Sequence, residues 1–90
     1  MAKDMAADSR KLTATTTDNY AALGGPPADA LYMHTPDTDV VVEFGRATDA
    51  TSFLLPQDVV VEFNFPCNQV HYKSGGSSTL YLLAVRRNTR

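Results

Sequence analysis

Three side chains of this sequence, His34, Cys67 and His71, are of the types that bind zinc or that pair a nucleophile with a base. A zinc site needs four protein ligands, or three and a water, and a thiol nucleophile needs a base that a third group orients. His71 alternates with Val70 and Tyr72, which directs it to solvent, and Cys67 follows a proline in a turn. We therefore expect surface histidines and an incidental thiol, with no metal and no cofactor.

Glu43 and Glu62 occupy the same place in two similar segments, which suggests a pair of glycosidase carboxylates roughly 5–9 Å apart. No third polar group converges on the pair, and a glutamate on the outer face of a strand is usually solvated. The Gly-rich segment Gly75–Ser78 lacks the lysine and the following helix of a phosphate-binding loop, so it predicts a tight hairpin turn. These residues predict no enzyme and no small-molecule substrate.

The elements that position these side chains are short β-strands. Asp-Val-Val-Val-Glu-Phe occurs at 39–44 and again at 58–63. In each copy the first and third valines and the phenylalanine share one face, and valine and phenylalanine favour strands. Further alternating segments bounded by Gly and Pro are typical of strands. The predicted strands are 11–20, 28–34, 39–44, 52–55, 58–65, 68–74 and 78–87.

This pattern predicts an all-β fold, a small antiparallel β-sandwich or jelly roll of about seven strands. Residues 1–10 permit a helix but are too short to hold one alone, so we expect a flexible N-terminal arm at 1–10. The β-sandwich domain follows at 11–87, and a basic C-terminal tail at 88–90.

The last predicted strand, 78–87, is apolar on both faces. Leu80, Leu82 and Ala84 share one face, and Tyr81, Leu83 and Val85 share the other. A strand of this kind needs cover on both sides, either from a partner or from the chain itself if the two faces are wrongly assigned. The residues predicted for an interface with a like subunit or another protein are Tyr32, Val41, Val60, Tyr81, Leu83, Val85, Arg86 and Arg87.

Charge and cysteine content limit the partners and the compartment. Residues 12–85 hold eight acidic and two basic side chains, and an acidic body does not track a phosphate backbone, so we expect no nucleic acid. The sequence has no apolar stretch long enough to span a membrane and no signal-peptide core. With a single cysteine, the chain suits a reducing cytosol, and we expect a soluble protein that is not exported.

Several segments resemble a group of small virion proteins of tailed bacteriophages. The matching segments are Asp39–Gly45, Phe53–Pro56, Asp58–Phe63, Val70–Ser74 and Gly75–Val85. The resemblance implies a structural virion protein, a capsid decoration or cement protein that binds the major capsid protein between capsomers and stabilises the shell. It also implies a homotrimer on the capsid exterior of a virion assembled in the host cytoplasm.

Two alternatives stay open. One is a neck, tail or head-fibre component of the same particle. The other, from a different class, is a carbohydrate-binding β-sandwich module, which requires exposed aromatic rings clustered on one face.

Overall fold

The computed structural model describes residues 5–23 and 27–87. In these residues the chain forms eight β-strands and no helix, which confirms the predicted all-β class. The strands are β1 (Met5–Ala14), β2 (Asn19–Ala22), β3 (Ala30–His34), β4 (Val41–Glu43), β5 (Phe53–Leu54), β6 (Val61–Phe63), β7 (Gln69–Lys73) and β8 (Ser78–Arg87).

The strands form two antiparallel four-stranded sheets. The first sheet has the order β1-β8-β3-β6 and the second the order β2-β7-β4-β5. Each strand pairs with its mirror image in chain order: the first with the eighth, the second with the seventh, the third with the sixth and the fourth with the fifth. This is the order of a jelly roll, in which a long two-stranded ribbon is folded over on itself.

The structure has one strand more than predicted, because the segment predicted as one strand at 11–20 is two strands in different sheets. The chain bends between them, where the side-chain amide of Asn19 donates to the hydroxyl of Thr15 at 3.1 Å and to the carbonyl of Thr17 at 2.9 Å.

The flexible arm predicted at 1–10 is wrong for residues 5–10, which form the first six residues of β1. Pairing with β8 decides their conformation, since a strand can form on a neighbour even where local propensity is weak. Residues 1–4 and the predicted tail at 88–90 lie outside the described residues.

The turn at Gly75–Ser77 is also not a hairpin, because β7 and β8 belong to different sheets. Asp39 fixes this crossover to the chain just before β4. Its carboxylate accepts hydrogen bonds from the Gly75 N–H at 3.1 Å and from the Ser78 hydroxyl at 2.8 Å. The conformation of the turn therefore depends on Asp39, a residue far away in sequence that the Gly-rich pattern alone does not reveal.

The core lies between the sheets and consists of inward-facing residues that alternate along each strand. The inward faces predicted for β7 and β8 are confirmed, since Val70, Leu80 and Ala84 are fully buried. Burying one Leu or Val side chain contributes about 1.5–3 kcal/mol. The main core residues are Leu31, Met33, Val40, Val42, Leu55, Val70, Tyr72, Leu80, Leu82 and Ala84.

Candidate functional site

An apolar groove runs along the outer face of the first sheet. Its floor comes from β8 and β3, which place Tyr81 beside His34 and Leu83 beside Tyr32. The groove encloses about 530 Å³, which lies within the range of ligand and peptide sites of roughly 300–1,000 Å³. We call it the outer groove; its main lining side chains are Lys11, Tyr32, His34, Val60, Tyr81 and Leu83.

Aromatic rings form the centre of the outer groove. The rings of His34 and Tyr81 are stacked with centroids 5.8 Å apart, and the Lys11 ammonium lies 6.0 Å from the centre of the Tyr81 ring. A cation at this distance from an aromatic face is attracted to it. Tyr81 remains 40% exposed, so its ring is available to a further contact.

Polar and charged groups lie along the β6 side of the groove. The Tyr32 hydroxyl donates to Glu62 at 3.5 Å, and the His34 Nε2 lies 3.7 Å from the Asp58 carboxylate. The groove therefore has an apolar floor, a cationic side at Lys11 and an anionic side at Asp58 and Glu62.

Four of the predicted interface residues meet in the outer groove: Tyr32, Val60, Tyr81 and Leu83. Val41 does not join them. It lies in β4 of the second sheet, opposite Leu54 and Lys73.

The prediction that Val85 belongs to the interface is wrong. It lies on the same face of β8 as Tyr81 but is only 6% exposed, and its strand neighbour Ala30 is fully buried. The chain itself therefore covers this end of β8, which is one of the two outcomes that the two-sided pattern left open.

The two predicted arginines lie at the end of β8. Arg86 continues the alternation of the core-facing residues and is partly buried, so it does not point into the outer groove. The backbone of Arg87 belongs to β8, and its side chain lies outside what the structure describes.

The structure does not bring the three candidate zinc ligands together. His34 lies on the outer face of the first sheet, His71 is in the second sheet, and Cys67 is buried. Burial raises the pKa of the Cys67 thiol, which disfavours the reactive thiolate. Within residues 5–23 and 27–87, no three His, Cys, Asp or Glu side chains are grouped as metal ligands.

Glu43 and Glu62 do not form a carboxylate pair. Glu43 lies beside His71 on the second sheet and Glu62 beside Tyr32 on the first, so the two side chains point away from opposite faces of the sandwich. Glu43 is held by the Arg46 guanidinium and the Ser52 hydroxyl, each at 2.9 Å.

The structure contains a polar cluster on the second sheet that the sequence did not indicate. Asp18 accepts hydrogen bonds from the Thr48 N–H and hydroxyl at 2.9 and 2.7 Å, and it lies 2.8 Å from the Nδ1 of His71. Burial acts to raise the pKa of Asp18, but the hydrogen bonds from Thr48 and His71 together outweigh it and lower the pKa. These three residues lie far apart in sequence, so no spacing pattern could have linked them.

The four phenylalanines of the sequence also meet, at the side of the sandwich where β5 and β6 lie. Their ring centroids are 5.1 to 6.3 Å apart, mostly in edge-to-face arrangements. The cluster joins the two sheets, since Phe53 belongs to the second and Phe63 to the first. Such pairs contribute about 0.5–1.5 kcal/mol each beyond their burial.

Sequence reasoning also missed Ser9, Lys11 and His34 as groove residues. For Ser9 the available signal was the alternation of Ala7, Ser9 and Lys11 on one face, which the helix-permissive composition of residues 1–10 concealed.

Comparisons with protein-family models, with curated proteins and with solved structures found no significant match. In the described part of the chain, no helix is long and apolar enough to cross a membrane.

Proposed function

We propose that this protein is a structural component of a bacteriophage particle, a decoration or cement protein that binds the major capsid protein between capsomers and stabilises the shell. The virion assignment depends on the sequence resemblance. The observation that carries the binding role is the outer groove, where Tyr32, Val60, Tyr81 and Leu83 form an apolar surface that the described residues leave wholly or partly exposed.

The occupant we propose for the groove is an extended segment of the shell protein. Apolar side chains of that segment would contact the floor, since buried aromatic and aliphatic anchors supply most of the affinity at protein interfaces. An acidic side chain would lie beside Lys11, and a basic one beside Asp58 and Glu62. This opposite charge on the two sides sets the direction in which the segment binds.

Many weak contacts suffice for such a role. Each copy on a lattice raises the effective concentration for further contacts, so a groove of this size can stabilise a shell without high affinity per copy. The resemblance also implies a homotrimer, which would have three times the chain mass of 9.8 kDa, but binding through the outer groove does not require it.

The test is co-sedimentation of the purified protein with immature and expanded capsids of the phage that encodes it, followed by heating of the shells. We expect binding and a higher disruption temperature. Tyr81→Asp should lower capsid occupancy at least tenfold, because it places a charge on the groove floor. Tyr20→Asp is the matched control, since Tyr20 is 54% exposed on the second sheet; it should bind normally.

Failure of the unmutated protein to bind either capsid form would refute the proposal. The number of copies per particle distinguishes a cement protein from the neck, tail or head-fibre alternative. A cement protein is present in hundreds of copies, and a neck or tail component in tens or fewer.

A carbohydrate-binding module is the second candidate, favoured by the rings of Tyr32, His34 and Tyr81 on one face. It ranks second because the polar groups lie along the sides of the groove and do not converge on its floor, whereas sugar recognition needs hydrogen bonds at fixed positions. Reproducible glycan-array signals that Tyr81→Asp abolishes would establish this candidate instead.

A further inference from the structure

The free edge of β1 differs from the other sheet edges of the described chain. β2, β5 and β6 have four, two and three residues, whereas β1 has ten. β1 contains no proline or glycine, and its register with β8 runs without a bulge from Met5↔Arg87 to Ala14↔Ser78. A long, regular edge presents a row of N–H and C=O groups on which another strand can pair.

We propose that β1 pairs with β1 of a second copy. The two strands run antiparallel about a two-fold axis at Ser9, so that two first sheets become one continuous eight-stranded sheet. Main-chain hydrogen bonds supply the attraction, as in other cases of strand addition, and the same surface is used on both subunits.

Charge selects the register. A two-fold axis through Asp8, Arg10 or Lys11 would set that side chain directly opposite its own copy, and like charges directly opposite are destabilising. An axis through Ser9 instead sets Asp8 of one copy opposite Arg10 of the other, twice. Residues 5–13 of the two strands then pair over their whole length.

The side chains at this edge are already arranged for such a contact. Arg10 donates to Asp8 through Nε at 3.3 Å and Nη2 at 3.1 Å, and through Nη1 to the Ala22 carbonyl at 3.1 Å. A guanidinium has five N–H donors, so these bonds within the described chain leave two for Asp8 of the second copy. Both side chains remain about a third exposed.

The edge geometry gives two copies, in contrast to the three that the virion resemblance implies. Because the axis is perpendicular to the sheet, both outer grooves face the same way, and a dimer would present two grooves to one surface. The pairing itself does not depend on what the grooves bind.

The test is sedimentation-velocity analysis of the full chain at micromolar concentration. We expect a species of twice 9.8 kDa. Asp8→Arg and Arg10→Asp should each be monomeric, with dissociation constants raised about tenfold or more, because each sets like charges opposite one another. An equal mixture of the two variants should form a heterodimer, since every opposed pair then has opposite charge.

Lys11→Asp is the control on the same strand. In the proposed register Lys11 lies opposite Ala7, so this variant should remain a dimer. Circular dichroism and thermal melting show whether each variant is folded. A monomeric or trimeric unmutated protein, dimeric single variants, or a mixture of folded variants that stays monomeric would each overturn the proposal, and none of these results bears on capsid binding.

Discussion

The two copies of Asp-Val-Val-Val-Glu-Phe have the same six residues but different surroundings. The first copy contains β4, an interior strand of the second sheet, and the second copy contains β6, an edge strand of the first. Val40 is fully buried, whereas its counterpart Val59 is 49% exposed. The comparison shows that the position in the sheet, more than the local sequence, decides what each residue contributes, and matched substitutions in the two copies test this directly.

The largest difference is expected for the first valine of each copy. Val40→Ala removes two buried methyl groups and leaves a cavity, which should cost about 2–3 kcal/mol of unfolding free energy. Val59→Ala should cost less than about 1 kcal/mol, because that side chain is half exposed. Urea denaturation of both variants measures the difference, and equal losses would show that the two copies are equivalent.

The first aspartate of each copy comes next. Asp39→Asn weakens charge-assisted hydrogen bonds from the Gly75 N–H and the Ser78 hydroxyl, with an expected loss of about 1–2 kcal/mol. Asp58 has a positive φ of 57°, a conformation that asparagine also tolerates. Asp58→Asn should therefore leave the thermal midpoint nearly unchanged, and a large loss there would contradict the comparison.

A smaller difference is expected for the glutamates. Glu43→Gln removes the charge that pairs with Arg46 at 2.9 Å on a partly exposed surface, a loss of about 0.5–1 kcal/mol. Glu62→Gln should change stability by less than about 0.5 kcal/mol. Because salt screens such pairs, the loss of unfolding free energy caused by Glu43→Gln should be smaller in about 1 M NaCl. A loss that does not change with salt would indicate that the hydrogen bond from Ser52 is responsible.

The smallest effect concerns pH and the loop that follows the first copy. The Thr51 hydroxyl and N–H, and then Arg46, lower the pKa of Asp49 from 3.8 to about 2. A carboxyl group with a lowered pKa stabilises the fold above its unfolded value, and this contribution is lost as the pH falls through the folded value. The contribution of Asp49 should therefore decline between about pH 4 and pH 2.

Carboxyl NMR titration measures this directly. Thr51→Val should raise the Asp49 midpoint, since it removes the hydroxyl that contributes most. The segment after the second copy, 64–69, contains no side-chain carboxyl group. We therefore expect this acid-dependent loss of stability only from the loop after the first copy.

Alternation along single strands was enough to predict the all-β class and the inward faces of β7 and β8. It could not predict sheet membership, because the partner of each strand lies elsewhere in the chain. For this reason the sequence predicts a hairpin at Gly75, and it predicts a flexible arm where residues 5–10 extend β1 along β8.

The candidate site also separates what alternation along one strand can predict from what depends on the neighbouring strands. The two-sided pattern of β8 predicted Tyr81 and Leu83 as interface residues, and both line the outer groove. It could not show that the chain itself covers Val85. Lys11 and His34 reach the groove from neighbouring strands, and their contribution follows from strand order, which the sequence does not contain.

The strand order also has a consequence for the speed of folding. Among the strands of residues 5–23 and 27–87, only β4 and β5 are both adjacent in sequence and hydrogen-bonded to each other. Almost every pairing must therefore close a long stretch of chain, which costs entropy before any contact forms. We expect folding in milliseconds to seconds, slower than for helical domains of this size. During synthesis β1 must wait for β8, the strand it pairs with in the first sheet, and its edges remain open to unwanted pairing for that time.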